Sequence, residues 1–154
     1  MHVTCTNAIV EVTLAWLREA GHTRRECVAL WLGRRGPATI DVVDAYRPEQ
    51  TAEIDMFHIP PRGMTELHAV LRQRRLMVAA QVHSHPAEAF HSKADDRWAI
   101  VRHEGALSLV VPQFAMQTTL QNFLAHTKVY RFTATSRWQE IPEAELTRSW
   151  LTIT

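Results

Sequence analysis

Two histidines one residue apart, followed ten residues later by two aspartates, have the clearest potential for chemistry in this chain. His83 and His85 end an apolar run, and in an extended segment the residues i and i+2 point to the same face. Two imidazoles and one nearby carboxylate give three ligands for a zinc ion. Three protein ligands leave one position open for water or substrate, which is typical of a hydrolase rather than of a structural metal site.

Each part of this pattern also has a structural interpretation. Ser92 and Asp95 form a potential helix-capping pair, because a serine followed three residues later by a carboxylate can satisfy the first free N–H groups of a helix. A helix dipole would equally favour Asp95 and Asp96 in the first turn. The combination favours a metal site, since a strand end and a helix start are rigid elements that can hold the ligands near one point.

The elements that must position these side chains follow from apolar periodicity. Helices are predicted at about 7–20, 63–75 and 93–104, with Gly105 ending the last of these, and a short one at 142–149. Strands are predicted at 26–32, 39–46, 76–83, 106–111, 128–133 and 137–141, and the first reads as buried on both faces. Residues 47–62 are predicted to form a loop with a short strand near 55–59. We therefore expect an α/β (α+β) fold, with a mixed central sheet flanked by helices.

Length, charge and cysteine content limit the classes of protein to which this chain can belong. A chain of 154 residues with 46% hydrophobic residues has the usual size of one domain, which we expect to span 1–154. The formal net charge of +1 gives no indication of nucleic-acid binding. No apolar run is long enough for a membrane span, and no signal peptide is recognisable. Cys5 and Cys27 form no Cys-x-x-Cys pair, so a reducing, cytoplasmic location is expected.

Four separated elements resemble the JAB/MPN/JAMM metalloprotease family, and the small size resembles its bacterial stand-alone branch. They are the strand opened by Glu26 (Glu-Cys-Val-Ala-Leu-Trp-Leu-Gly), His83-Ser84-His85-Pro86, Ser92 and Asp95. The resemblance covers about the first 115 residues and implies a JAB/MPN-like fold related to that of cytidine deaminases. It also implies that His83, His85 and Asp95 bind zinc, that Glu26 is the general base, and that Ser92 stabilises the oxyanion or the attacking water.

One departure from the family pattern leaves an alternative. Six residues separate His85 from Ser92, one fewer than in the eukaryotic deubiquitinating members. If the spacing to the carboxylate is kept instead, Asp96 becomes the third ligand and Lys93 takes the place of the serine. The family pattern gives the nearby His91 and His103 no role. Three further histidines are interpreted as ordinary side chains without a role in the site: His58, His68 and His126.

The resemblance implies a zinc isopeptidase that cuts after the C-terminus of a ubiquitin-like protein. Its partners would then be that modifier and ubiquitin-activating or conjugating-like enzymes, for example in a bacterial antiviral operon, and residues 47–62 could form one wall of the substrate groove. Two alternatives remain. One is a JAB-type peptidase acting on a sulfur-carrier protein or on a phage-tail or cell-wall peptide. The other is a non-catalytic MPN scaffold without metal.

Overall fold

The interior of the molecule is built on strands whose residues are nearly all apolar. The computed structural model describes residues 1–154 except for residues 53, 55 and 56 and the side chain of Trp98. Its strands are β1 (His2–Cys5), β2 (Val28–Arg35), β3 (Thr39–Tyr46), β4 (Thr51–Ala52), β5 (Phe57–His58), β6 (Met77–Ser84), β7 (Leu107–Val111), β8 (Lys128–Phe132), β9 (Trp138–Glu140) and β10 (Leu151–Ile153). The helices are α1 (Asn7–Gly21), α2 (Pro61–Arg74), α3 (Lys93–Trp98), α4 (Phe123–His126) and α5 (Glu143–Glu145), with a 3₁₀ turn at Gln113–Ala115 and a π-turn at Leu146–Trp150.

Within the described part of the chain, eight strands form one mixed sheet in the order β10-β1-β3-β2-β6-β7-β8-β9, and β4 pairs with β5 separately. The pairs β1/β10, β1/β3 and β6/β7 are parallel, and the other pairs of the large sheet are antiparallel. This arrangement confirms the predicted α/β fold with a mixed sheet flanked by helices. The strands β2, β6 and β7 lie in the middle of the sheet, and their positions decide where the predicted site is built.

Two apolar clusters cover the two faces of the central strands. Val10, Leu14 and Leu17 of α1 pack on one face with Trp31, and Leu67 of α2 packs on the other with alternate residues of β2. Burying each such side chain contributes roughly 1.5–3 kcal/mol. The Trp31 indole donates to Thr13 Oγ1 at 3.0 Å, so its one polar atom is satisfied inside the core. Strand β2 is therefore clamped from both sides, as its continuous apolar sequence predicted.

Most predicted elements are present, and several bounds differ. The first helix and the strand at 39–46 lie where they were predicted. Strand β2 starts two residues later than predicted and continues to Arg35. Helix α2 starts two residues earlier than predicted, and the later strands are confirmed with small shifts in their bounds. Of the short strand predicted near 55–59, Phe57–His58 is present as β5, and residues 55 and 56 lie outside the described residues.

The helix predicted at 93–104 is wrong in its length, since α3 ends at Trp98. Ala99 leaves the helical conformation, and the N–H of Ile100 donates to the buried Gln81 side chain at 2.9 Å. Val101 then enters the second apolar cluster. Gly105 does not end the helix but lies in the turn before β7, with a φ of +82° that favours glycine. Burial of the chain after Trp98 overrides the helical periodicity.

The sequence did not predict the short strands β1 and β10. β1 and β10 pair in parallel with each other, so that residues near the two ends of the chain lie side by side. Strands of three or four residues carry too little periodicity to be recognised. Among the described residues, no helix combines the length and the apolar character that crossing a bilayer requires.

Candidate metal centre

The two histidines lie at the end of the central strand β6. His83 belongs to β6 and is fully buried. His85 is the first residue after that strand and is 4% exposed. Their ring centroids are 5.2 Å apart, as expected for residues i and i+2 on one face. Neighbouring strands hold this segment on both sides, since Ser84 N–H donates to the Cys27 carbonyl and His85 N–H donates to the Val111 carbonyl. The two imidazoles therefore have a rigid support.

The carboxylate of Asp95 lies between the two imidazoles. Its Oδ1 is 3.1 Å from His83 Nε2, and its Oδ2 is 3.2 Å from His85 Nε2. One potential ligand atom from each of the three residues lies within 4.8 Å of the others. Asp95 is 4% exposed, whereas Asp96 is exposed and lies 3.3 Å from the Nδ1 atom of His91. The structure thus brings Asp95, rather than Asp96, to the two histidines.

The same carboxylate also caps helix α3. Ser92 N–H donates to Asp95 Oδ2 at 2.7 Å, and Asp95 N–H donates to Ser92 Oγ at 3.1 Å, which completes a reciprocal capping box. Capping and metal binding, weighed as alternatives from the sequence, are geometrically compatible. The cap fixes the rotamer of Asp95, so the helix start aims the carboxylate at the imidazoles.

The electrostatics of this cluster favour an ionised Asp95. Burial alone would raise the pKa of its carboxyl group, but the two imidazoles and the Ser92 N–H outweigh that effect and hold the pKa well below its ordinary value. A negative charge is therefore fixed between two imidazole rings inside the protein. Such a site attracts a cation.

The buried ring of His83 provides a test of whether a metal fits. Among the described residues, neither ring nitrogen of His83 has a hydrogen-bond partner, because Nε2 is near Asp95 but not aligned with it for a hydrogen bond. A buried polar atom without a partner requires an explanation such as a missing ion. Two imidazole nitrogens and one carboxylate oxygen form a donor set that suits zinc. The residues present therefore fit a metal ion.

Glu26 and Ser92 lie beside this cluster. Glu26, which is 2% exposed, precedes β2, where the N–H of Cys27 donates to Ser84 Oγ at 3.1 Å. Glu26, His85 and Ser92 together line a cavity of about 350 Å³. Ser92 Oγ accepts a hydrogen bond from the helix, so its own O–H can still donate. A carboxylate and a hydroxyl donor thus share a cavity with one of the predicted metal ligands.

The other candidates from the sequence lie apart from the three predicted ligands or have different contacts. His91 is wedged between Tyr130 and Trp138, with ring centroids 5.1 Å from each, and 6.4 Å from His83. Burial lowers the pKa of His91 to about 4, so the ring is neutral at physiological pH. His103 is engaged with the Val78 carbonyl at 2.9 Å, away from the cluster. His68 and His126 lie at the surface.

Sequence reasoning missed two residues that support the site. Ser84 lies between the two histidines and connects their strand to the residue after Glu26. Gln50 holds the start of β2, because its side-chain amide accepts from Val28 N–H at 2.8 Å and donates to the Val28 carbonyl at 2.9 Å. A signal existed for Ser84, since a residue between two predicted ligands on a strand points to the opposite face. No local signal identifies Gln50.

Fold and geometry together define an α/β protein with a candidate metal centre where a central strand meets a helix start. Residues 7–124 match the model of the prokaryotic homologues of the JAB domain. A probable metalloprotease of Sinorhizobium fredii, y4jG, is 36% identical over 149 residues, covering 94% of this chain and 90% of that protein. The chain therefore belongs to the prokaryotic JAB family, which confirms the resemblance inferred from its motifs.

A solved structure supports the fold alone. The solution structure of protein DSY2949 from Desulfitobacterium hafniense superposes with a TM-score of 0.70 at 21% identity, covering 99% of this chain and 92% of that one. At this level of identity the likeness extends to the path of the backbone.

Proposed function

We propose that this protein is a zinc-dependent peptidase of the isopeptidase type, which cuts the amide that follows the C-terminus of a ubiquitin-like protein. One observation carries the hydrolase assignment: His83, His85 and Asp95 are buried together, and both ring nitrogens of His83 lack a hydrogen-bond partner among the described residues. Family membership and the relative named a probable metalloprotease support a metallopeptidase.

Zinc is the proposed ion because two histidines and one carboxylate are a common ligand set of catalytic zinc sites. Held by these three residues, zinc would supply Lewis acidity at an open coordination position and make a water molecule acidic near neutral pH. Asp95 contributes the negative charge, and its capping bonds keep it oriented. His83 and His85 contribute neutral nitrogen donors from a strand that is fixed on both sides.

Two further side chains have proposed roles in proton transfer and charge stabilisation. The Glu26 carboxylate would accept a proton from the attacking water and return it to the leaving amine, which is general base and then general acid catalysis. The Ser92 hydroxyl would donate to the carbonyl oxygen of the substrate as negative charge develops on that atom. Both groups line the cavity beside His85, as these roles require.

The ubiquitin-like substrate is supported by the surroundings of Glu26. Glu26 also lines a second cavity, of about 440 Å³, together with Arg47, Gln50 and both residues of β4. A short strand beside a catalytic carboxylate can pair with an extended C-terminal tail, as in other strand-addition complexes. The partners would be the modifier itself and ubiquitin-activating or conjugating-like enzymes, as in a bacterial antiviral operon.

The experiment uses a panel of ubiquitin-like proteins, ubiquitin among them, each fused through its C-terminal glycine to a reporter protein. We expect the zinc-loaded wild type to release the reporter, and Glu26→Gln to lose at least about 100-fold in rate while retaining zinc, because Glu26 is not a ligand. Glu104→Gln, an exposed control outside the site, should cut at the wild-type rate. Zinc-loaded protein that leaves every fusion intact would refute the ubiquitin-like substrate, and protein that binds no zinc would refute the metal centre.

A further inference from the structure

A pocket beside the proposed catalytic residues has an apolar character of its own. The cavity of about 350 Å³ is lined by Glu26, His85 and Ser92, by four of the five loop residues from Pro86 to Phe90, and by the first two residues of α3. Its volume is near the lower end of the range for ligand pockets, roughly 300–1,000 Å³. A side chain with its adjoining backbone fits a space of this size.

Phe90 connects the pocket to the metal centre. Its ring meets the ring of His85 edge-on, with centroids 4.8 Å apart at 88°, and yet Phe90 is 52% exposed. An aromatic ring that contacts a predicted ligand on one side and solvent on the other offers apolar contact area at the reacting centre.

Charge at the rim of the pocket does not select a charged group. Glu88 and Lys93 are the ionisable residues at the exposed rim, and they have opposite signs. Pro86, Ala87 and Ala94 add apolar surface without hydrogen-bonding side chains. A neutral, apolar group therefore matches the lining better than an acidic or a basic one.

We propose that this pocket is a specificity subsite that binds a large apolar side chain, such as leucine or phenylalanine, of the residue that follows the scissile amide, since the glycine before the cut in the proposed substrate has no side chain. The assignment rests on the proposed hydrolase function, because Glu26, His85 and Ser92 must face the amide while the neighbouring side chain enters the pocket. Phe90 and Ala87 are the specificity-determining residues. The pocket explains why an exposed phenylalanine lies beside a metal ligand.

Binding of two small chelators tests this without turnover. Acetohydroxamate and 4-methylpentanohydroxamate present the same metal-binding group, and they differ in a branched apolar chain that can reach the pocket from either side. Calorimetric titration of the zinc-loaded wild type should show the branched compound binding at least about tenfold more tightly, since even one methylene in an apolar pocket changes affinity by that order.

Variants assign the difference in affinity to the pocket. Ala87→Trp fills the space and should bring the two affinities within about twofold of each other, and Phe90→Ala should reduce the preference severalfold. Ala125→Trp, at an exposed position on α4, is the matched control and should retain the wild-type preference. Thermal melting confirms that each variant is folded.

Cleavage of fusions that differ only in the residue after the C-terminal glycine of the ubiquitin-like protein supplies the second measurement. Wild type should release the reporter at least severalfold faster from a fusion with leucine at this position than from one with aspartate, with the difference lost in Ala87→Trp. Equal affinity for the two hydroxamates, or a preference that survives both variants, would overturn the subsite and leave the hydrolase intact. Zinc-loaded protein that binds neither hydroxamate and cuts no ubiquitin-like fusion would overturn the proposed function and the subsite together.

Discussion

The two halves of the candidate metal centre are supported in different ways. The histidines come from β6, a strand of eight residues paired on both sides and almost entirely buried. The aspartate comes from α3, a helix of six residues held by its own capping box and by contacts after its last turn. One half of the site depends on the core of the protein, and the other half depends on local hydrogen bonds. Their difference suggests how each can be disrupted separately.

Removing a predicted ligand from strand β6 should have the largest effect on metal binding. We expect His83→Ala to reduce bound zinc to near zero per chain, measured by elemental mass spectrometry. The free energy of unfolding without metal should change less than for other large-to-small core substitutions, because two unsatisfied nitrogens leave with the ring. His103→Ala, which lies outside the cluster, should keep full zinc. Stoichiometric zinc in His83→Ala would exclude this residue as a ligand.

Replacing the helix-borne carboxylate should affect both metal and fold. Asp95→Asn should lose zinc and also lower the free energy of unfolding by about 1 kcal/mol, because an ionised cap at a helix start is weakened. Asp96→Asn, one residue further along the same helix, should retain zinc. If Asp96→Asn loses zinc and Asp95→Asn does not, the ligand assignments are reversed.

We expect acid to destabilise helix α3 by protonating the Asp95 carboxylate. The pKa of Asp95 is lowered in the folded protein from an ordinary 3.8, so its contribution to stability is complete above that pH and is lost as the pH falls below it. Acid denaturation in the presence of a chelator should therefore show a shallower loss of stability below pH 4 for Asp95→Asn than for wild type. Identical profiles would contradict the lowered pKa.

Arg102 provides a smaller disturbance of the helix alone. Its guanidinium donates to the carbonyls of Asp96 at 2.6 Å and Arg97 at 2.9 Å, which satisfies the end of α3. Arg102→Gln should cost about 0.5–1 kcal/mol. It should speed amide hydrogen exchange in residues 93–98 while exchange in β6 stays slow. Faster exchange in both elements would show that the two halves are not independent.

We expect both cysteines to be unreactive towards alkylation in the folded protein. Both cysteines are free and buried, and burial raises the pKa of Cys27 from 9.0 to about 11 and that of Cys5 to about 12. A thiol with a raised pKa stays protonated at pH 8, so iodoacetamide should label neither residue in the folded protein. Intact-mass measurement checks this, with the urea-unfolded chain as the positive control. Labelling of Cys27 in the native protein would show that the start of β2 opens.

What the sequence could predict follows the same division. The positions of His83 and His85 could be predicted, because periodicity alone places both on one face of a buried strand. The first turn of α3 was readable from the spacing of Ser92 and Asp95. The end of that helix was not, because it depends on the Gln81 side chain, which is distant along the chain. The roles of the site residues remain predictions, as do the zinc ion and the ubiquitin-like substrate.

The register of the central strands has a consequence for the timing of catalysis. Val28 lies opposite His83, and Ser84 holds the residue that follows Glu26. The proposed proton acceptor, Glu26, and two of the three proposed zinc ligands are thus carried by one pair of neighbouring strands, so we expect thermal motion to displace them together. No closing movement is needed to assemble them, so turnover should be governed by how quickly the polypeptide to be cut enters and leaves.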